Sequence, residues 1–196
     1  MKTLKLNILL ILLIILFSSP VNSQTGYTTV KKSTYPQLSL SPVGGLMFPV
    51  ANLSDNFKPG GSVGLDLSYK VNKEVGFFAK FGYDFFRSQT SGVPDGRFFE
   101  YSVGPRYYFT AKNLKSSIFL EAGIGAYTFN QQGYVLEETA YPEVSYTKFG
   151  YNAGIGAILN LGTDIDLLFK TKYNTIMTED GSSSFITPVL GIDVRF

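Results

Sequence analysis

Eight segments of this chain alternate apolar and polar side chains with a period of two, and this alternation constrains the fold more than any other feature. The pattern is clearest at the end of the sequence, where Ile192, Val194 and Phe196 alternate with Asp193 and Arg195. Successive side chains of a β-strand point to opposite faces, so each segment is predicted to be a strand with one apolar and one polar face. After residue 23, no window has the length and the 3.6-residue period of an amphipathic helix.

The connections between the predicted strands alternate between short and long. The strands are predicted at residues 38–48, 62–71, 75–85, 99–109, 117–129, 148–159, 164–173 and 186–196. Long polar stretches are predicted at residues 49–61, 87–98, 130–147 and 174–184, and tight turns at 72–73, 110–116 and 160–163. An even number of strands with short turns at one end and long loops at the other is typical of outer membrane barrels. We therefore predict an all-β fold, an eight-stranded antiparallel up-and-down transmembrane β-barrel.

Side-chain volume indicates which face of the barrel contacts lipid. The alternative fold is a soluble barrel of the lipocalin type, which is apolar inside and polar outside. However, eight strands enclose a space barely wide enough for their own side chains. The apolar face is crowded with Phe, Tyr, Leu and Ile, whereas the polar face is rich in Gly and Ser, so only the polar face fits inside.

Aromatic residues on the apolar face are predicted to form two belts at the membrane interfaces. The outer belt consists of Phe48, Tyr83, Phe85, Tyr101, Phe149, Tyr151 and Tyr173, and the inner belt of Tyr69, Phe77, Tyr107, Phe109 and Phe196.

The polar face carries charges of both signs in equal number, which we interpret as a charge network in the lumen. Its predicted members are Asp66, Lys70, Lys80, Asp84, Glu100, Arg106, Glu121, Lys148, Asp166, Lys170, Lys172, Asp193 and Arg195, together with Asp164. An unpaired buried charge is very costly, so these groups are expected to pair and to plug the barrel. The alternative is a narrow porin-like channel for ions or small solutes, gated around Arg106, Glu121 and Lys170.

Two further features of the polar face concern its packing. A minority of its positions are apolar, namely Val43, Met47, Phe78, Tyr108, Phe119, Tyr127, Ile158, Leu168, Phe185 and Val189. Gly123 and Gly154 are predicted to make room for bulky neighbours such as Arg106 and Tyr108.

The first residues have the layout of a secretory signal peptide. Lys2 and Lys5 precede an apolar run at residues 8–17, and Val21 and Ser23 are small residues placed before a cleavage site at Gln24. The alternative, a membrane anchor, needs about 20 apolar residues. We predict a signal peptide at residues 1–23, a loose periplasmic segment at 24–36 and a barrel domain at 37–196.

The composition argues against several functions. The sequence contains no Cys and no His, so the commonest general base, thiol nucleophiles and many metal ligands are absent. Removal of Lys2 and Lys5 leaves as many basic as acidic residues, so there is no basic excess to bind nucleic acid. We expect a non-enzymatic protein without cofactor or metal. A carboxylate site at Glu137, Glu138 and Glu143 is the weaker alternative to a solvated loop tip.

The loops differ in charge between the two ends of the barrel. The outer loops contain seven acidic residues, Asp55, Asp95, Glu137, Glu138, Glu143, Glu179 and Asp180, and three basic ones, Lys58, Arg87 and Arg97. The short-turn end is basic, with Lys31, Lys32, Lys73, Lys112 and Lys115 against Glu74. An unknown extracellular ligand is therefore expected at the acidic loops, either a loosely held divalent cation or a basic partner.

The signal peptide, the eight alternating strands and the C-terminal residues 190–196 resemble the small OmpA/OmpX-like outer membrane β-barrel family. Residues 57–69 and the turn at 72–73 resemble the first hairpins of that family, and the likeness covers residues 38–196. The resemblance implies location in the bacterial outer membrane after export through the periplasm, with membrane lipids as surroundings. It also implies that Phe196 is the C-terminal signal read by the barrel assembly machinery, and that the role is structural or one of surface interaction.

Overall fold

The structure, a computed structural model, describes residues 35–110, 116–136, 138–162, 164–178 and 181–196. The predicted signal peptide and all but the last two residues of the predicted periplasmic segment lie outside these ranges. Within the described residues, no helix is long and apolar enough to cross a membrane.

Ten strands and one short 3₁₀ helix make up the described chain. The strands are β1 (Gln37–Val50), β2 (Phe57–Lys70), β3 (Val75–Ser88), β4 (Gly96–Thr110), β5 (Ser117–Gln131), β6 (Tyr134–Leu136), β7 (Thr139–Tyr141), β8 (Val144–Asn160), β9 (Ile165–Thr178) and β10 (Gly181–Arg195). The 3₁₀ helix, Ala51–Asp55, follows β1.

Eight of the strands form one closed antiparallel barrel in the order β1-β10-β9-β8-β5-β4-β3-β2. The first and last strands pair with each other, with Leu40 opposite Val194 and Phe48 opposite Ile186. Beyond that pairing, the backbone N–H of Phe196 donates to the carbonyl of Leu38 at 2.9 Å. Closure removes the free strand edges that hydrocarbon does not tolerate, and it confirms the predicted fold.

The predicted alternation places the polar face inside the barrel. On β3, Phe77 and Phe81 are more than half exposed on the outer surface, whereas Lys80 and Asp84 are buried. Among the described residues, the charged side chains on the outward face of barrel strands are Lys58, Arg87 and Arg97, all at the long-loop end. Toward the short turns, the outer surface is a band of mainly apolar side chains suited to lipid.

The strands extend further at the long-loop end than the sequence predicted. The stretch at residues 174–184 was predicted as a loop, but β9 extends to Thr178 and β10 begins at Gly181, and these two residues pair with each other. The predicted loop at 130–147 contains the β6–β7 hairpin. The prediction of loops at these two stretches was wrong because the strand extensions are mostly polar on both faces. Where neither face of a strand contacts lipid, hydrophobicity does not alternate along the sequence.

Inward-facing glycines lie where a side chain would collide with the interior. A Cβ at Gly123 would lie 2.7 Å from Cζ of Phe78 and 2.8 Å from the carbonyl oxygen of Val103. A Cβ at Gly154 would lie 3.0 Å from the carbonyl oxygen of Thr171 and 3.2 Å from Cγ of Glu121. These glycines do make room, but for Phe78 and Glu121 rather than for Arg106 and Tyr108.

We expect Gly123→Leu to impair assembly of the barrel, since its side chain has no space beside Phe78 and the β4 backbone. The measurement is the fraction of protein whose gel mobility changes on boiling. Gly162→Leu is the control, because a Cβ at Gly162 meets nothing within 4 Å. Equal folded fractions for the two variants would contradict the explanation.

Candidate functional site

The barrel interior is the candidate site, because it contains the predicted charge network. Two groups of charged side chains lie fully buried in its middle. We call them the Arg106 cluster (Asp66, Arg106, Glu121 and Lys170) and the Glu100 cluster (Lys80, Asp84, Glu100 and Lys172). Each cluster has two acids and two bases, so each is neutral as a whole.

The Arg106 cluster is a closed ring of alternating charge. Nε and Nη2 of Arg106 donate to Oε2 of Glu121 at 2.9 and 2.6 Å. Nη2 also donates to Oδ1 of Asp66 at 3.0 Å. Lys170 completes the ring by pairing with Asp66 and, at 3.1 Å, with Oε1 of Glu121. The three residues predicted to form a gate, Arg106, Glu121 and Lys170, are therefore brought together, with Asp66 as their fourth member.

Aromatic rings flank the cations of this ring. The guanidinium carbon of Arg106 lies 4.4 Å from the ring centroid of Phe119 and 5.3 Å from that of Phe78. Nζ of Lys170 lies 5.6 Å from the ring centroid of Phe78. Contacts of this kind stabilise a cation that has lost its water.

The Glu100 cluster lies nearer the long loops. Oε2 of Glu100 is 2.9 Å from Nζ of Lys80, and Oε1 pairs with Lys172 and accepts from the Ser102 hydroxyl at 2.5 Å. Both carboxylate oxygens of the fully buried Asp84 lack a hydrogen-bond partner among the described residues. Opposite charge in the same cluster is therefore the main compensation for burying Asp84.

A chain of neutral polar groups lies beside the Glu100 cluster, since Tyr127 is opposite Glu100 and Thr187 is opposite Lys172. The amide of Asn152 donates to the Tyr127 hydroxyl at 3.2 Å, and that hydroxyl donates to Oδ1 of Asn174 at 3.2 Å. The amide of Asn174 then donates to the Thr187 hydroxyl at 3.2 Å.

Two apolar layers enclose the charge clusters, one at each end of the interior. The loop-end apolar layer consists of Met47, Leu53, Phe86, Phe98, Tyr127, Phe129, Ile176 and Phe185. The turn-end apolar layer consists of Val43, Tyr108, Phe119, Leu168 and Val189, with Ile158 packed against it. Within the loop-end layer, the rings of Phe98 and Phe185 stack with centroids 5.6 Å apart.

Strand β4 shows the order of these layers along the barrel. From the long-loop end toward the short turns, its inward side chains include Phe98, Glu100, Arg106 and Tyr108, one from each layer and cluster. From the long loops to the short turns, the interior thus consists of an apolar layer, two charge clusters and a second apolar layer.

The remaining predicted network residues lie near the two ends of the interior. Asp193 is buried and accepts from the Ser39 and Ser41 hydroxyls at 2.8 and 2.6 Å. Nη2 of Arg195 pairs with Oδ1 of Asp166 at 3.1 Å.

Lys70 and Lys148 are only half-buried. Nζ of Lys70 lies 4.0 Å from the ring centroid of Tyr108, whose hydroxyl is hydrogen-bonded to that of Ser68 at 2.8 Å. Lys148 faces inward near the start of β8. Asp164 is exposed in the turn before β9, so its assignment to the lumen was wrong, because the strand begins only at Ile165.

Sequence reasoning missed the apolar layers as organised features. Some members, such as Phe119 and Phe185, were recognised only as exceptions to the alternation, and others, such as Phe86 and Phe98, were not singled out. One feature of the sequence could have indicated the layer at the short-turn end. Its members Tyr108, Phe119 and Leu168 all lie a few residues from a short turn.

The acidic loop residues do not converge on a site within the described structure. Asp55, Asp95, Glu138 and Glu143 are exposed, and Glu137, Glu179 and Asp180 lie outside the described residues. Among the residues that the structure describes, no group of three or more His, Cys, Asp or Glu is placed to hold a metal ion.

We expect Arg106→Met to destabilise the barrel by about 3–5 kcal/mol, because it leaves Asp66 and Glu121 with Lys170 as their one buried cation partner in the ring. The measurement is the free energy of unfolding in urea. Lys73→Met removes an exposed pair with Glu74, at 3.7 Å, and should cost less than about 1 kcal/mol. Similar losses for the two variants would refute the role assigned to the ring.

No protein-family model matches the chain, and no curated protein sequence matches it. Among solved structures, Neisserial surface protein A is similar with a TM-score of 0.62 and 14% identity, covering 82% of this chain and 97% of that one. The N-terminal β-barrel domain of Pseudomonas aeruginosa OprF has a TM-score of 0.55 and 13% identity, with 82% and 98% covered. A major outer membrane protein from Thermus thermophilus has a TM-score of 0.54 and 14% identity, with 81% and 99% covered.

At these identities the likeness shows the fold alone. The predicted resemblance to small outer membrane β-barrels is confirmed at that level, and the predicted outer-membrane location agrees with it. The chain has the fold of an eight-stranded outer membrane β-barrel.

Proposed function

We propose that this protein is a non-enzymatic barrel of the bacterial outer membrane, with a plugged lumen and a structural or surface-interaction role. The observation that carries the proposal is the order of layers along β4, in which two neutral charge clusters lie between two apolar layers. A conducting pore needs a continuous polar path, and this order interrupts such a path twice.

The size of the barrel supports a plug. Eight strands leave an interior that side chains fill, and here Arg106, Tyr108, Tyr127 and Phe119 are among the largest fully buried side chains. The charges within each cluster neutralise one another, so neither cluster offers a net field to attract ions of one sign.

The outer surface supports membrane lipids as the surroundings of the barrel. Aromatic side chains of both belts are exposed, including Tyr101 and Phe149 in the outer belt and Phe77 and Tyr107 in the inner belt. Amphipathic rings favour the level of the lipid headgroups. The interaction role is then assigned to the extracellular loops, where the excess of acidic residues favours a basic partner.

The absence of His and Cys from the sequence supports a non-enzymatic role. The buried hydroxyls of Ser102 and Tyr127 are hydrogen-bonded inside the sealed region, where no substrate has access.

We expect the purified protein to show no steady conductance in planar lipid bilayers. Arg106→Ser should be equally silent, because the apolar layers on both sides of the Arg106 cluster remain in place. A channel gated by that cluster would conduct steadily when Arg106 is removed. Steady conductance of the wild type, or of a correctly folded Arg106→Ser barrel, would therefore overturn the plug in favour of the narrow channel.

We also propose that Phe196 is recognised by the barrel assembly machinery. Phe196 is 74% exposed, and its backbone N–H adds one bond, to Leu38, to the β1–β10 pairing that closes the barrel. Phe196→Ser should fold normally in detergent but accumulate poorly in the outer membrane of cells. Phe109→Ser, which removes another lipid-facing ring of the inner belt, is the control. Equal accumulation of the two variants would contradict this recognition.

A further inference from the structure

The extracellular mouth of the barrel contains a pocket of about 480 Å³. Its floor is the loop-end apolar layer, represented by Phe98 and Phe129. Its walls come from the 3₁₀ helix and from the loop ends of strands β2 to β6 and β8 to β10. This volume lies within the range of about 300–1,000 Å³ that is usual for small-molecule sites.

Among the described residues that line this pocket, none is charged. Some charged residues are sequence neighbours of lining residues: Asp55 precedes Asn56, and Arg87 precedes Ser88. Their exposed side chains are not part of the lining. The described lining therefore offers no counter-charge to an ionic ligand, although the loops around it are charged.

The polar part of the lining consists of amides and hydroxyls. The side chains of Asn52 and Asn56 are exposed and make no hydrogen bond to any described residue. The hydroxyls of Thr178, Ser182 and Ser183 likewise have no partner in the described part of the chain. These groups can both donate and accept hydrogen bonds, and they are available to a ligand.

The apolar part of the lining consists of Leu53, Val93, Val144 and several aromatic rings held by packing. Phe57 packs edge-on against Phe86 with centroids 4.3 Å apart, and Tyr146 packs against Phe129 at 5.2 Å. Phe57, Tyr146 and Tyr134 are half-buried, so each keeps part of its ring open to the pocket. Rings fixed in this way lose little side-chain freedom when a ligand binds.

We infer that this pocket binds a neutral saccharide, as one or two sugar units at the end of a glycan. A sugar ring has hydroxyls around its edge, which match the amides and hydroxyls of the walls, and an apolar C–H face, which matches the aromatic rings. A purely apolar ligand would leave the five polar side chains without partners, and an ion would find no opposite charge among the described lining residues.

The inference deepens the proposed surface role and depends on the closed lumen, which gives the pocket its floor. The two proposals are tested separately. Conductance tests whether the lumen is closed, whereas sugar binding tests the pocket at the mouth. A conducting barrel that binds no sugar would overturn both proposals. A silent barrel that binds no sugar would overturn only the sugar site.

The test is saturation-transfer NMR on the full barrel in lauryldimethylamine oxide, since sugar-based detergents would occupy the pocket. The probes are lactose, maltose and N,N′-diacetylchitobiose, with sucrose octasulfate as a polyanionic comparison. We expect transfer from aromatic protons of the protein to the C–H protons of at least one neutral disaccharide. The variant Asn52→Ala/Asn56→Ala should bind that sugar about tenfold more weakly, as expected for two lost hydrogen bonds.

Asn130→Ala is the matched control, because Asn130 lies at the same end of the barrel, bonds to Ser145 at 2.9 Å and is not part of the pocket lining. It should bind like the wild type, and gel mobility confirms that both variants are folded. Three results would overturn the inference: no transfer to any neutral disaccharide, equal binding by the double variant and the wild type, or displacement of the neutral sugar by sucrose octasulfate.

Discussion

The interior of an eight-stranded barrel is only as wide as its own side chains, and this limit determines how the rest of the structure is arranged. Charged groups inside have no room for hydration shells, so they must neutralise one another or be replaced. The Arg106 cluster meets this requirement with residues from four strands, Asp66 on β2, Arg106 on β4, Glu121 on β5 and Lys170 on β9. These strands meet around one lumen only when the barrel is closed, so pairing and closure depend on each other.

The apolar layers keep water away from the buried ion pairs. The attraction between two charges is stronger where water is excluded, but loss of one partner then leaves an uncompensated buried charge. Phe119 and Tyr108 on one side, and Phe98 and Phe86 on the other, separate the charges from water at both ends. The contact between Arg106 and Phe119 couples the layer at the short-turn end directly to the ion pairs.

The fold could be predicted from the sequence because lipid imposes a strict period of two on every strand that crosses it. The same period predicted which charged side chains face the lumen, as for Asp66 and Lys170. The strand extensions around Thr178 and Gly181 could not be predicted, since above the membrane both faces are polar. The pairing partners could not be predicted either, because they depend on the stagger between distant strands. The Asp66–Lys170 pair, for example, joins strands that are not adjacent in the barrel.

Chemical access to the lumen is the most direct test of a dry, closed interior. The chain has no cysteine, so Ser62→Cys introduces a single thiol at a position that is 1% exposed and faces Asp84 across β2 and β3. Ser182→Cys places the same thiol at the exposed mouth. In the folded barrel, a small water-soluble methanethiosulfonate should modify Ser182→Cys rapidly and leave Ser62→Cys unmodified until denaturant is added. Rapid modification of Ser62→Cys in the folded state would show that water and solutes reach the charge clusters, and it would contradict the closed lumen.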